Sequence, residues 1–384
     1  MTLTRANIVL VSVGLSLLGL VMIYSATYRE YDAAYLWIRL LHLALGLGTF
    51  VVVSRLQYTS WRKAAPALYF LVFVVLVLVL IPGLGKEVGG ARRWFDLGPL
   101  SVQPAEFAKL VAVLVTACAV SRLPPGSGLP IRSLAAVGAL FLLVLLEPDF
   151  GTSVVLLAGV AGALWASELA TKPLLLSGAV GFFALVLVML AEPYRRERFT
   201  AFLDPWAQAD GDGYQVVQSL VAIKSGGFFG AGAGAGAQGS AVPEIGTDMM
   251  FALVAEELGL LGMIGVILAF CYLVLSGFRI SLAAPTVLAR CVAAGISTMF
   301  AVQATFNIGA AMGVLPLAGM TLPFLSYGGS SLIVCFAATG ALYRIAKDGE
   351  RAHGVSPSNR RKATDTNSRR RNRRTRDPRV MRGR

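Results

Sequence analysis

Residues 66–84 read PALYFLVFVVLVLVLIPGL, nineteen positions without one charged side chain. A bilayer core of ~30 Å takes about 20 apolar residues to cross as an α-helix, so such a stretch reads as a transmembrane helix. Working outward, comparable runs occupy 7–26, 36–54, 105–121, 132–147, 150–167, 173–191, 249–277, 286–312 and 322–343. The expected fold is all-α and polytopic, with about ten transmembrane helices. The thinnest separation is Glu147-Pro148-Asp149, between the fifth and sixth runs. The first run is followed at once by further spans, so it is expected to stay as a helix rather than leave as a signal peptide.

Composition agrees. Of the 384 residues 56% are hydrophobic and 14% charged, against ~25% charged in soluble domains, which argues against a water-soluble enzyme. The 41 glycines follow no three-residue period, which excludes a collagen-like chain. The net charge of +13 is localised: from Arg344 onward 15 Lys/Arg face 4 Asp/Glu, leaving +2 for the other 343 residues. The expected division is a membrane domain over 1–346 and a basic, disordered tail over 347–384. Its RRRNRR at 369–374 suits anionic lipid better than nucleic acid.

An even number of spans puts both termini on one side. That side carries Arg5, Arg55, Arg62, Lys63, Arg122, Arg132, Lys172 and Arg279, while the other carries Arg29, Lys86, Arg92, Arg93, Arg195, Arg196, Arg198 and Lys224. The basic tail breaks this near-draw, and the positive-inside rule then makes both termini cytoplasmic. Two outer segments, 85–104 and 192–248, hold most of the outward cations. The second, between the seventh and eighth spans, is long enough to be functional.

Candidate chemistry rests on carboxylates and cations. The four cysteines (Cys118, Cys271, Cys291 and Cys335) lie in apolar stretches without metal-ligand spacing and read as small buried hydrophobes. Two histidines, His42 and His353, make a His-based metal site or a Ser-His-Asp triad improbable. Glu106 and Lys109, three apart on one helical face, read either as an interfacial ion pair or as the lining of a polar cavity. Asp149 suits an N-cap or a functional position. Of the adjacent Glu256 and Glu257, at least one is expected to meet a buried cation or a water cavity. Asp248, beside Thr247, reads first as the N-cap of the eighth span. Arg195, Arg196 and Arg198 are a solvated run or a phosphate fork. The glycine-rich SGGFFGAGAGAGAQG (225–239) matches no phosphate-loop pattern and reads as flexible. Gln303 and Asn307, four apart at membrane depth, are expected to bond between helices.

Five ordered segments carry a resemblance: ARRWFDLGPLSVQPAEFAKL (91–110), LLEPDFGTS (145–153), YRRERFTAFLDPW (194–206), GYQVVQSLVAIKSGG (213–227) and NIGAAMGVLPLAGMTLPFLSYGGSSL (307–332). Together with GLVMIYSAT (19–27) they resemble the SEDS proteins, the FtsW/RodA/SpoVE group of peptidoglycan polymerases. PEIGTDMMFALVAEELG (243–259) is similar to the family segment with the essential aspartate, which implies that role for Asp248. The departures are Ala105 for the usual serine, Gly246 for a polar residue, and Met249-Met250 for Phe-Ile.

The resemblance implies polymerisation of lipid II into glycan strands with a class B penicillin-binding protein as transpeptidase partner, within a division or elongation complex of the bacterial inner membrane. Gly213-Tyr214-Gln215 and Thr321-Leu322-Pro323 resemble the division-type FtsW proteins. A sugar hydroxyl is a weak nucleophile that needs a base, and pyrophosphate leaves readily once cations stabilise it. Asp248 is therefore expected to act as general base or metal ligand. Arg195, Arg196, Arg198, Lys109, Glu106 and Arg93 are expected at the substrate, with Glu256, Glu257, Thr247 and Ser326 in support. A divalent cation (Mg or Mn) is a candidate cofactor, and no organic cofactor is expected. A lipid II flippase and a weakly active scaffold that activates a partner synthase remain the alternatives.

Overall fold

The computed structural model describes residues 2–31, 34–88, 90–98, 100–191, 193–211, 213–236 and 245–354. The chain is a helical, multi-pass membrane protein. Twelve helices are described: α1 Thr2–Tyr31, α2 Ala34–Arg55, α3 Tyr58–Leu80, α4 Pro104–Val120, α5 Ile131–Leu146, α6 Phe150–Trp165, α7 Thr171–Ala191, α8 Pro193–Leu203, α9 Tyr214–Gly226, α10 Met250–Leu282, α11 Val287–Ala311 and α12 Gly329–Gly354. Among the described residues seven of them (α1, α2, α3, α7, α10, α11 and α12) are long and apolar enough to cross a membrane. The apolar α5 and α6 are shorter, at 16 residues each.

The bundle is layered around α4, α6 and α11. α11 packs on α6 and α10, α4 on α3 and α6, and α12 along α2. Small side chains line these seams, among them Ala108 and Ala112 of α4, Ala163 of α6 and Ala293 of α11, all 0% exposed. In lipid this is the expected means of association, because apolar burial alone gives no preference for a helix over an acyl chain. Cys118, Cys291 and Cys335 are buried as expected, but Cys271 is exposed. It sits on the outward side of α10, where an apolar stretch faces lipid rather than core.

Three features depart from the sequence reading. The segment after α3 carries a small antiparallel sheet: β1 Lys86–Val88, β2 Ala91–Asp96 and β3 Ser101–Val102, paired in the order β1-β2-β3. Strands this short leave no alternation long enough to read. The last apolar run does not start as a helix at 322, because Pro323 and a positive φ of 67° at Phe324 hold 322–328 as a folded segment before α12. And α12 continues to Gly354, through residues assigned to the tail, with Arg344–Asp348 (2.9 Å) and Arg5–Glu350 (3.0 Å) as ion pairs along it. Residues 355–384, with RRRNRR, lie outside the described residues.

α10 is broken at Gly259, whose φ of 64° and ψ of −161° are open to glycine and strained for any other residue. The glycine-rich segment fills that break. Ala231 and Gly232 donate backbone bonds to the carbonyls of Glu256 and Glu257, and Leu260 donates to Gly227. Its described part, 227–236, is thus a loop pinned to α10, in place of the free flexible loop expected from composition.

Candidate active site

Asp248 lies two residues before α10, in a turn that other parts of the bundle hold by its backbone. The N-cap position belongs to Met249, with no side-chain cap bond, so the N-cap reading of Asp248 is corrected. The turn is instead fixed through its carbonyls. Asn307 Nδ2 of α11 donates to the Asp248 carbonyl (2.8 Å), Ser326 Oγ to the Thr247 carbonyl (2.5 Å) and the Tyr327 amide to the Gly246 carbonyl (2.7 Å). The half-buried Asp248 lines a tight crevice, too small for a water molecule, with Asn307, Leu317, Gly319 and Met320.

The opposite wall of that crevice is the segment 317–320, and α11 holds this too. Asn307 Nδ2 also donates to the Met320 carbonyl (2.6 Å), and Gln303 Nε2, one turn earlier, donates to the Thr321 carbonyl (2.8 Å). Gln303 and Asn307 therefore grip successive carbonyls of a non-helical segment, and of the pair only Gln303, which accepts from Lys109 of α4, bonds between helices as expected. α6 presses on the same segment: a Cβ on Gly151 would lie 2.3 Å from the Ala318 carbonyl oxygen, so only glycine permits the approach. A Cβ on Gly319 would lie 3.8 Å from Asp248 Oδ2, which shows how near the carboxylate is to this wall.

Lys109 and Glu106 join the network from α4. Their ion pair is 2.9 Å long, and the side chains are 2% and 7% exposed. Lys109 Nζ also donates to Gln303 Oε1 (3.1 Å). A chain of polar groups thus runs Glu106–Lys109–Gln303–Thr321, ending in the Thr321–Ser331 hydroxyl contact at 3.0 Å. Buried ions at membrane depth persist when each finds a partner, and here the pair is tied to the segment that faces Asp248.

Other candidates stand apart from this chain of bonds. Arg93 donates from Nε and Nη2 to the carbonyls of Glu147 and Pro148, both at 2.7 Å. Asp149 is the N-cap of α6, accepting from the Thr152 amide (2.9 Å) and from Gln103 Nε2 (2.8 Å). Glu256 and Glu257 are both 2% exposed. Glu257 meets no cation among the described residues. It accepts a hydrogen bond from Ser25 of α1 instead, because the glycine-rich loop and α1 close over this part of α10. Arg196 is exposed on α8, and the side chains of Arg195 and Arg198 lie outside the described residues.

One positioning residue escaped the sequence reading. Arg39 of α2 is 1% exposed, and its Nη2 donates to the carbonyls of Phe324 (2.7 Å) and Leu325 (3.3 Å). It anchors the segment whose next residues, Ser326 and Tyr327, hold the Asp248 turn. The signal was present, since a lone arginine inside the run 36–54 is a charge at membrane depth.

The donor set for a metal is thin. No cluster of three or more His, Cys, Asp or Glu side chains stands among the described residues. Asp248 with nearby carbonyls suits Mg²⁺, which is usually held by one or two carboxylates together with substrate phosphates.

Comparison with known proteins places this architecture. The pattern of the FtsW/RodA/SpoVE family, described as cell cycle protein, matches residues 5–351. Stage V sporulation protein E of Bacillus subtilis is 36% identical over 358 residues, covering 90% of this chain and 98% of that one. A probable peptidoglycan glycosyltransferase FtsW of Nitrosococcus halophilus is 40% identical over 350 residues, covering 87% and 90%. Among solved structures, a chain reported under structural coordination of polymerization and crosslinking by a peptidoglycan synthase complex aligns with a TM-score of 0.75 at 32% identity, covering 89% and 97%. The rod shape determining protein RodA of Thermus thermophilus aligns at 0.65 and 31%, covering 89% and 96%. With the match spanning nearly all of α1 to α12, the chain belongs to the FtsW/RodA/SpoVE family.

Proposed function

We propose that this chain is a peptidoglycan glycosyltransferase that polymerises lipid II at the outer face of the bacterial cytoplasmic membrane, with ten spans and both termini cytoplasmic. The observation that carries the site is the clamp on Asp248: three carbonyls of residues 246–248 are held from α11 and from 326–327, which fixes the turn that bears the carboxylate beside the segment 317–320. The relatives named as glycosyltransferases support the reaction class.

In this reading Asp248 takes the proton from the acceptor sugar hydroxyl as its oxygen bonds to the anomeric carbon of the donor. The bond from that carbon to the polyprenyl pyrophosphate breaks, with inversion. Arg195, Arg196 and Arg198 hold the diphosphates, assisted by Arg93. Lys109 acts on the crevice through Gln303 and Thr321. In the alternative role, Asp248 would hold a divalent cation that supplies charge neutralisation at the leaving group, in place of acting as base. The transpeptidase partner is a class B penicillin-binding protein, in keeping with the synthase complex to which a structural relative belongs. The basic tail, residues 355–384, binds anionic lipid on the cytoplasmic side.

The test is lipid II polymerisation by the purified full-length protein with its partner. A positioned base contributes about 10²–10⁴-fold, so Asp248→Asn is expected to lose activity by that factor while retaining the wild-type melting profile. Full activity in Asp248→Asn overturns the assignment. Headgroup translocation in liposomes without polymer formation would favour a flippase instead. A fluorescent fusion at midcell supports a division role, and one along the side wall supports elongation.

A further inference from the structure

A groove opens between α1, α2 and α12 at the end of the bundle where α1 begins and α12 ends. Its volume is about 640 Å³, and its walls include Val9 and Val13 of α1 and Phe50 and Val51 of α2. At its rim stand Arg5 and Arg55. Neither the Asp248 crevice nor the α4–α11 network shares a lining residue with it.

The two arginines are in different states. Arg5 pairs with Glu350 (3.0 Å), lies over the Tyr343 ring (5.6 Å to its centre), and keeps a buried Nε without a hydrogen-bond partner among the described residues. Arg55, in the last turn of α2, is exposed and forms no ion pair among the described residues. The carbonyl end of a helix disfavours anions, but here Arg344 Nη1 takes up the Arg55 carbonyl (3.2 Å). The rim therefore offers one uncommitted guanidinium, Arg55, beside a second that Glu350 already holds, above an apolar trough.

We propose that this groove binds one anionic phospholipid of the leaflet at that end of the bundle, with its phosphodiester on Arg55 and Arg5 and an acyl chain along α1 and α2. The walls alone cannot select it, because an acyl chain loses nothing by staying in the bilayer. Selection comes from charge. A guanidinium fork matches phosphate oxygens, and basic pockets between helices favour anionic headgroups. A zwitterionic lipid brings its own ammonium to the same rim and gains less.

The experiment uses the full-length protein in detergent, with native mass spectrometry reading bound lipid. The probes are phosphatidylglycerol and phosphatidylcholine of identical acyl chains, at one low ionic strength at which the unchanged basic tail contributes equally to wild type and variants. The wild type is expected to retain one phosphatidylglycerol in preference. One cation near the surface is worth about 1 kcal/mol, so Arg55→Gln should lower that preference about fivefold. Val51→Trp, which fills the trough, should displace the lipid. Glycerol phosphate, which has the headgroup chemistry without acyl chains, should not compete. Undiminished preference in Arg55→Gln overturns the proposal, as does lipid retained by Val51→Trp. Displacement by glycerol phosphate would make the rim a free-phosphate site, which also overturns it. Asp248 and its reaction are untouched by any of these outcomes.

Discussion

α7 and α12 are both apolar helices of one bundle, and their burial runs opposite to their hydropathy. α7 is the more apolar, yet none of its most apolar window is buried, while 83% of that of α12 is. Phe182 and Phe183 of α7 are 70% and 63% exposed, and α7 touches chiefly α6 and α8. In water such a helix would mark the core. In a bilayer the most apolar surface belongs against lipid, and the buried seams carry small and polar residues that bond across helices. The interior around α4, α11 and α12 accordingly holds Lys109, Glu106, Gln303, Asn307, Ser330 and Ser331.

If that contrast is right, single changes in the polar seam should cost far more than changes on α7. The largest effect is expected from Lys109→Met, which leaves Glu106 as a buried carboxylate without its cation. Breaking such a pair costs about 3–5 kcal/mol, read as a lowered melting temperature or lost yield in detergent. The double variant Glu106→Gln/Lys109→Met should recover much of it, and a single variant that melts like wild type would break the comparison. Next comes Asn307→Ala, which strips the carbonyls of Asp248 and Met320 of a donor. At roughly 1–3 kcal/mol per buried group, melting should fall and polymerisation should fall further, because the Asp248 turn loosens. Phe182→Leu on α7 should stay within about 0.5 kcal/mol of wild type.

The smallest effect concerns the small sheet β1-β2-β3. The Lys86 ammonium donates to Asp96 (2.7 Å), with the Gly98 amide adding a bond, and these hold the exposed carboxyl below its usual range. A depressed carboxylate contributes stability above its unfolded value and loses it as pH falls through the lower, folded one. Asp96→Asn should therefore differ slightly from wild type near neutral pH and coincide with it in strong acid. A difference that grows on acidification would contradict the sign. Exposed pairs contribute little, so this is a check on direction.

Legibility varied with the range of the interaction. The long apolar helices followed from local composition, whereas α8 did not, and Glu147-Pro148-Asp149 marked the break between α5 and α6 correctly, with Asp149 capping α6. The polar pair on α11 was visible from its spacing. What stayed hidden depended on partners distant in sequence. Met249 rather than Asp248 takes the N-cap because Asn307, Ser326 and Tyr327 hold the preceding turn. Arg39 reaches carbonyls 285 and 286 positions away. Glu257 finds Ser25 across 232 positions.

By itself the sequence determined that this is a polytopic helical membrane protein with its positive charge gathered at one end, since length, hydropathy and charge act residue by residue. Its segments were enough for the family resemblance. Only the tertiary structure decided which helices meet lipid and which meet each other, and that one segment, 317–328, is held jointly from α2, α6 and α11 against the Asp248 turn. Hydropathy is summed along one helix, whereas a buried donor meets its carbonyl wherever the fold brings the two together, so Arg39, Gln303 and Asn307 show in the sequence as polar residues at membrane depth but their acceptors do not.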